Sequence, residues 1–168
     1  MIGLISTHLK GLLEFSGREA RGVFWPWVGV SIALYTVAFM GIVALFLADV
    51  ATGESREPLA MMSNVYLMNS VACAVIVALL AASVARRLHD CNRRGAWGLL
   101  PIPNLAIGMI LMPMVSSEAV SGAASEIDSV FPLLLNNMVY LAMLGLLVFL
   151  CAQPGTLDEN RFGPPPPV

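Results

Sequence analysis

The chain has 168 residues, 58% of them hydrophobic and only 12% charged, with a mean hydropathy of +0.80. Soluble domains are about 45–50% apolar and about 25% charged, so this composition excludes a water-soluble globular domain and a disordered chain. Nine Lys and Arg against eleven Asp and Glu give a net charge of −2, without the basic excess a soluble nucleic-acid binder carries. The class that remains is an integral membrane protein of one domain.

Residues 1–22 read as an amphipathic segment preceding the first span. Ile2, Ile5, Leu9, Leu12 and Leu13 fall on one helical face, and Ser6, Thr7, Lys10 and Glu14 on the other. That pattern suits a helix lying in the bilayer interface.

Four stretches then carry no charge: Gly22–Ala48, Pro58–Ala85, Gly95–Ser117 and Ser129–Leu157. Each exceeds the roughly 20 apolar residues that a spanning helix needs. Helices are the default because backbone in hydrocarbon must satisfy its own hydrogen bonds, and no alternating pattern of barrel strands occurs. The expected architecture is all-α, with a transmembrane domain over 23–152 and spans at about 24–48, 65–85, 97–115 and 131–151. The first apolar run is longer than the hydrophobic core of a signal peptide and reads as a retained helix. The third run holds Pro101, Pro103 and Pro113. Each removes a backbone donor, so a kinked helix is expected there, with a re-entrant segment as the alternative. Residues 153–168 form a Pro-rich tail, with Gly163–Pro167 suited to a short polyproline II extension.

Within the second span, Ser70, Ala74, Ala78 and Ala82 recur every fourth residue. Such a line of small side chains lets another helix approach closely, in this chain, in a second copy or in a partner membrane protein. The spans hold uncharged polar residues, including Asn69, Asn104, Asn136, Asn137 and Tyr140, and no Asp, Glu, Lys, Arg or His. Coupled transport commonly uses a titrating group at that depth. Asn136 and Asn137 are more simply interhelical hydrogen-bonders, although with a broken third helix they could also line a polar path.

Basic residues set orientation. Lys10, Arg18 and Arg21 precede the first span, Arg86, Arg87, Arg93 and Arg94 lie between the second and third, and Arg161 follows the fourth. These eight fall on one side and Arg56 alone on the other, which predicts both termini in the cytoplasm. Phe24, Trp25, Trp27 and Trp97 stand at the same side as headgroup-level anchors.

The densest polar run is Arg86-Arg87-Leu88-His89-Asp90-Cys91-Asn92-Arg93-Arg94-Gly95-Ala96-Trp97. If the helix continued through it, Arg86 and Arg94 would each lie four residues from Asp90, in pairing register. This run, with its following Pro-containing apolar stretch, resembles the bacterial inner-membrane family called domain of unknown function 805, the YhaH-like proteins. Phe15-Ser16-Gly17-Arg18-Glu19-Ala20-Arg21 leading into Phe24-Trp25, and Pro154-Gly155-Thr156 with Asn160-Arg161-Phe162-Gly163-Pro164, are similar to that family's opening and closing motifs, in the same order. Cys91 and Asn92 stand where the family usually has Thr-Gly. The resemblance covers nearly the whole chain and implies a small multi-helix inner-membrane protein, not a reaction.

In this topology Arg18, Arg21, Arg86, Arg87, His89, Asp90, Arg93, Arg94, Asn160 and Arg161 converge on the cytoplasmic face. Two roles compete. The arginines fix helix ends by snorkelling and by pairing with Asp90, or their planar forks bind an anionic lipid headgroup, a phosphorylated ligand or a partner protein. No catalytic activity, metal or cofactor is expected. His89-Asp90 lacks further ligands, and Cys91, whose thiolate the arginines would favour, has only His89 as a nearby base.

Overall fold

A computed structural model of the chain describes residues 2–52, 58–121 and 126–166. Arg56 and Pro167 lie outside them. The helices are α1 (Ile2–Lys10), α2 (Arg21–Thr52), α3 (Pro58–Asp90), α4 (Ile102–Ser121) and α5 (Glu126–Ala152), with a 3-10 turn at Gly95–Leu99 before α4. No strand occurs among the described residues. Four segments are long and apolar enough to cross a membrane: Arg21–Thr52, Ala60–Asp90, Gly95–Glu118 and Val130–Ala152. The predicted spans all lie inside them. The helices outrun the charge-free stretches because α2 begins with Arg21 and α3 carries Arg86–Asp90 as its last turn.

Pro101 and Pro103 fall at the entry to α4, where the missing donor is one that a helix N-terminus leaves unpaired anyway. They therefore mark where the third segment changes from 3-10 to α geometry. Pro113 sits inside the helix.

The helices associate most closely as two pairs, α2 with α3 and α4 with α5. In the second pair Gly108 faces Asn136, whose Nδ2 donates to the Asn104 carbonyl at 3.0 Å. A Cβ on Gly108 would lie 3.2 Å from that nitrogen, so the glycine makes room for the bond. Between the pairs, α3 meets α4 and α5 less closely along its length. The pairs are tied at one end, where Phe24, Leu88, Leu147, Leu150 and Cys151 form a buried cluster, with Val28 and Val84 against it.

α1 docks at the same end through an unexpected residue. His8 is buried, stacks on Trp27 with ring centroids 4.6 Å apart, and places Nε2 3.3 Å from Glu19 Oε1. Leu9 and Leu13 remain exposed. Trp27 is not a headgroup anchor. It is 1% exposed and donates its indole N–H to the Leu79 carbonyl at 3.2 Å, because α3 passes directly beneath it. Trp25 and Trp97 are exposed, as anchors would be.

Candidate functional site

The site grows from a problem common to all helix ends. The last four carbonyls of a helix have no intrahelical donor, and α3 and α5 both terminate at the same end of the molecule. α3 stops in a Schellman arrangement: Asn92 adopts φ 54°, its N–H bonds the His89 carbonyl at 2.9 Å, and Arg93 N–H bonds the Leu88 carbonyl at 2.9 Å. A left-handed residue at this position suits glycine or asparagine, so Asn92 does the work of the usual glycine. Distant chain adds further donors to carbonyls at this end of α3. Glu19 N–H bonds the Arg86 carbonyl at 3.1 Å, Thr156 N–H bonds that of Asp90 at 3.0 Å, and Asn160 Nδ2 donates to that of His89 at 3.0 Å.

At the exit of α5 the donors are arginines. Arg87 Nε donates to the Cys151 carbonyl at 2.8 Å, another of its N–H groups to Gln153, and Arg21 reaches the Ala152 carbonyl at 3.4 Å. Arg18 collects the carbonyls of Thr156, Asp158 and Gly163 in the tail beyond. Cations here also meet the negative end of the helix dipole.

Two carboxylates neutralise this basic knot. Asp90, 4% exposed, pairs with Arg18 through Nε at 3.0 Å and Nη2 at 2.9 Å, and with Arg87, which is fully buried. Glu19 is also buried. It pairs with Arg86 at 2.8 Å and accepts a hydrogen bond from Ser83. Arg86 in turn donates to the Gly11 carbonyl at 3.0 Å, holding the loop after α1.

This corrects the local pairing expected from sequence. Arg86 pairs with Glu19 rather than Asp90, and Arg94 lies beyond the end of α3, so neither four-residue pair forms. The true partner of Asp90 besides Arg87 is Arg18, 72 residues away in sequence. Nor do Arg18, Arg86 and Arg87 all reach outward together: their forks point into the protein.

His89 is half-buried, stacks on Phe162 at 3.8 Å between ring centroids, and has Nδ1 3.1 Å from the Gly17 carbonyl. Arg161 lies over the other part of that stack, 4.7 Å from the Phe162 ring centroid, and donates to the Asn92 carbonyl at 3.0 Å. Asn160 Oδ1 accepts from Phe162 N–H at 2.9 Å, forming the turn that brings the ring to His89. Arg93 and Arg94 have exposed side chains, and Arg21 and Arg161 are largely exposed.

Burial pushes the Cys91 thiol above its ordinary value, and the lowering influence of Arg87 does not offset it. The expected thiolate character is therefore reversed. Among the described residues no group of three or more His, Cys, Asp or Glu stands close enough to share a metal ion. Of the small-residue line, Ala82 is buried and Ser70 half-buried, while Ala74 and Ala78 are exposed on this single chain.

Sequence reasoning missed Glu19, Ser83 and Gly155 as parts of the knot. Glu19 was visible as an acid set between Arg18 and Arg21. Gly155 stood in the closing motif, which gives no sign of what it packs against. It packs on Asp90 so closely that a Cβ would lie 2.6 Å from the carboxyl carbon.

Comparison with known proteins fits this architecture. The chain is 29% identical over 163 residues to the uncharacterized protein YiiR of Escherichia coli K12, covering 94% of this chain and 88% of that one. It is also 29% identical over 115 residues to the inner membrane protein YhaI of the same organism, covering 68% of this chain and 84% of YhaI. No solved structure matches. With four apolar helices of spanning length, this is a multi-pass membrane protein. Residues 12–164 match the family described as protein of unknown function (DUF805), and that stretch holds all three segments of the knot; the chain belongs to this family.

Proposed function

We propose that this is a non-catalytic protein of the bacterial inner membrane whose basic end faces the cytoplasm and engages anionic lipid headgroups. The observation that carries the reading is the division of labour among the arginines. Arg18, Arg86 and Arg87 are consumed in holding helix ends together, whereas Arg93 and Arg94 project from the same loop with exposed side chains. Trp97 follows them closely in the chain, Trp25 lies near the start of α2, and both are exposed; indoles favour the headgroup level. Each basic side chain near an anionic surface contributes about 1 kcal/mol. An acidic partner protein would meet the same two charges. The eight-to-one distribution of basic residues supports cytoplasmic termini, and a fusion reporter active only outside the cytoplasm would overturn that orientation.

The test is native mass spectrometry of the protein released from micelles containing phosphatidylglycerol and phosphatidylcholine. Arg93→Ala with Arg94→Ala is expected to lower phosphatidylglycerol retention by about thirtyfold, from two charges at about 1 kcal/mol each, with melting temperature unchanged. Equal retention by the double variant and the parent would sink the headgroup reading.

A second reading has one observation in its favour. A cavity of about 220 Å³ lies between the helix pairs, lined by Tyr66, Asn69, Ser70, Asn104, Asn136 and Asn137 among others. Polar groups at membrane depth face bundle interiors or water-filled paths, so this cavity, beside a third span with Pro113 inside it, would suit a small channel or transporter. In the same lipids, solute flux that falls on Asn136→Leu favours it, and no flux across a broad solute panel counts against it.

A further inference from the structure

A second cavity, larger than the polar one, lies apart from the ion pairs of the knot. It has a volume of about 590 Å³ and lies between α3, the 3-10 turn, α4 and α5, on the seam where the two helix pairs pack less closely. Its wall is apolar over nearly all its length, with Leu80, Val84, Leu99, Ile102 and Leu144 prominent. It runs from His89 and Gly95 at the basic end down to Ile76 and Tyr140. At about 1.5 Å per residue, His89 and Ile76 are about 20 Å apart along α3. One leaflet of the hydrocarbon core is about 15 Å deep, so the groove has the reach of a single leaflet, measured from the basic end.

The way the groove is closed at the top is specific. Gly95 and Gly98 press the 3-10 turn onto α3: a Cβ on Gly95 would lie 2.9 Å from Ala85 Cβ, and one on Gly98 the same distance from Val84 Cγ1. The turn therefore roofs the groove rather than filling it. Arg94 immediately precedes Gly95, and Arg93 precedes that, both with exposed side chains. The loop carries a net positive charge at this rim because Asp90 is already paired twice within the knot.

We propose that this groove holds one acyl chain of an anionic phospholipid from the leaflet at the basic end, with the phosphate at Arg93 and Arg94. The inference rests on the headgroup reading above and adds the chain site beneath it. The hydrophobic effect does not select this position, since lipid tails are as apolar as the groove. Selection comes from two other sources. An apolar groove loses dispersion contacts wherever it is unfilled, and a flexible chain fills it. The rim then prefers the chain whose headgroup is negative, by charge-assisted hydrogen bonds from planar forks.

The full chain, reconstituted in vesicles of phosphatidylethanolamine and phosphatidylglycerol, is irradiated with a trace of phosphatidylglycerol bearing a diazirine midway along one acyl chain. Adducts are mapped by peptide mass spectrometry. The expected result is enrichment on Val84, Leu99 and Leu144 by about tenfold over the lipid-exposed Val37 and Phe149, a difference of about 1.4 kcal/mol in occupancy. Phosphatidylcholine carrying the same diazirine should label the groove several-fold less. Labelling spread evenly over all lipid-facing positions would overturn the groove as a site, and so would equal labelling by the two lipids. Ala81→Phe, which narrows the groove from α3, should abolish the enrichment. Should that variant fold poorly, the wild-type adduct map decides alone. The two readings fail separately. Loss of phosphatidylglycerol retention in the Arg93→Ala, Arg94→Ala variant with even labelling in the parent keeps the headgroup site and removes the chain site.

Discussion

Asp90→Ala is expected to lower the melting temperature of the detergent-solubilised protein more than truncation of any exposed charged residue. The Asp90 carboxylate stands between two guanidinium groups, Arg18 at 2.9 Å and Arg87 in direct contact. Arg87 is fully buried and Asp90 nearly so. Removing one partner of a buried pair leaves an uncompensated charge and costs about 3–5 kcal/mol. Here two charges are uncovered at once, although both arginines keep their carbonyl partners. Asp90→Asn retains the shape and one acceptor and should fall between the parent and the alanine variant. Arg93→Ala and Arg94→Ala touch nothing buried and should stay within about 0.5 kcal/mol of the parent. Thermal unfolding followed by tryptophan fluorescence reads all four, since Trp27 lies within the same end. An Asp90→Ala protein as stable as Arg94→Ala would show that the knot does not hold the helices.

Gly155→Ala should be the second large effect, and its cause is space rather than backbone freedom. A Cβ there would stand 2.6 Å from Asp90 Cγ and 2.9 Å from Oδ1. A flexible side-chain end would yield cheaply, but this carboxylate is fixed from both sides by Arg18 and Arg87. Either the tail lifts off α3, losing the Thr156 N–H bond to the Asp90 carbonyl, or the ion pairs lengthen. Overpacking of this kind costs about 1–3 kcal/mol. Gly145→Ala is the control. Nothing lies within 4 Å of its would-be Cβ, and alanine is better than glycine in a helix interior by about 0.5–1 kcal/mol. The two glycine variants are thus expected to move the melting temperature in opposite directions. A Gly155→Ala protein that melts with the Gly145→Ala protein would remove the close approach from the argument.

The spans were legible because hydrocarbon imposes one rule on every residue in it. A run without charge, long enough to cross, is a helix whatever it packs against, and all four such runs became helices. The family motifs hold Arg18, Arg87 and Asp90, which the knot joins, and also Arg93 and Arg94, which it leaves exposed. The pairing within the knot was hidden for a physical reason. Arg86 does share the last turn of α3 with Asp90, but its fork is taken by Glu19, and Arg94 would lie opposite Asp90 only if the helix continued, whereas the left-handed Asn92 ends it first. Arg18 and Glu19 reach α3 through the fold, a relation that spacing along one helix does not encode. Trp27 misled in a similar way. An aromatic near a span end suits the interface, yet α3 and His8 enclose it, and that follows from where α1 docks.

The knot also has a direction in time. Chains emerge from the N-terminus, so α2, α3 and α4 exist before the carbonyls of Cys151, Gln153 and Thr156 have been made. During that interval Arg87 has Asp90 but none of its acceptors from α5, and Arg18 lacks its acceptors in the tail. The two helix pairs can form separately, each by its own packing, but the end that joins them closes only when residues 151–163 arrive. That segment is therefore the stitch between the pairs, and they become a single cooperative body only after it has been made.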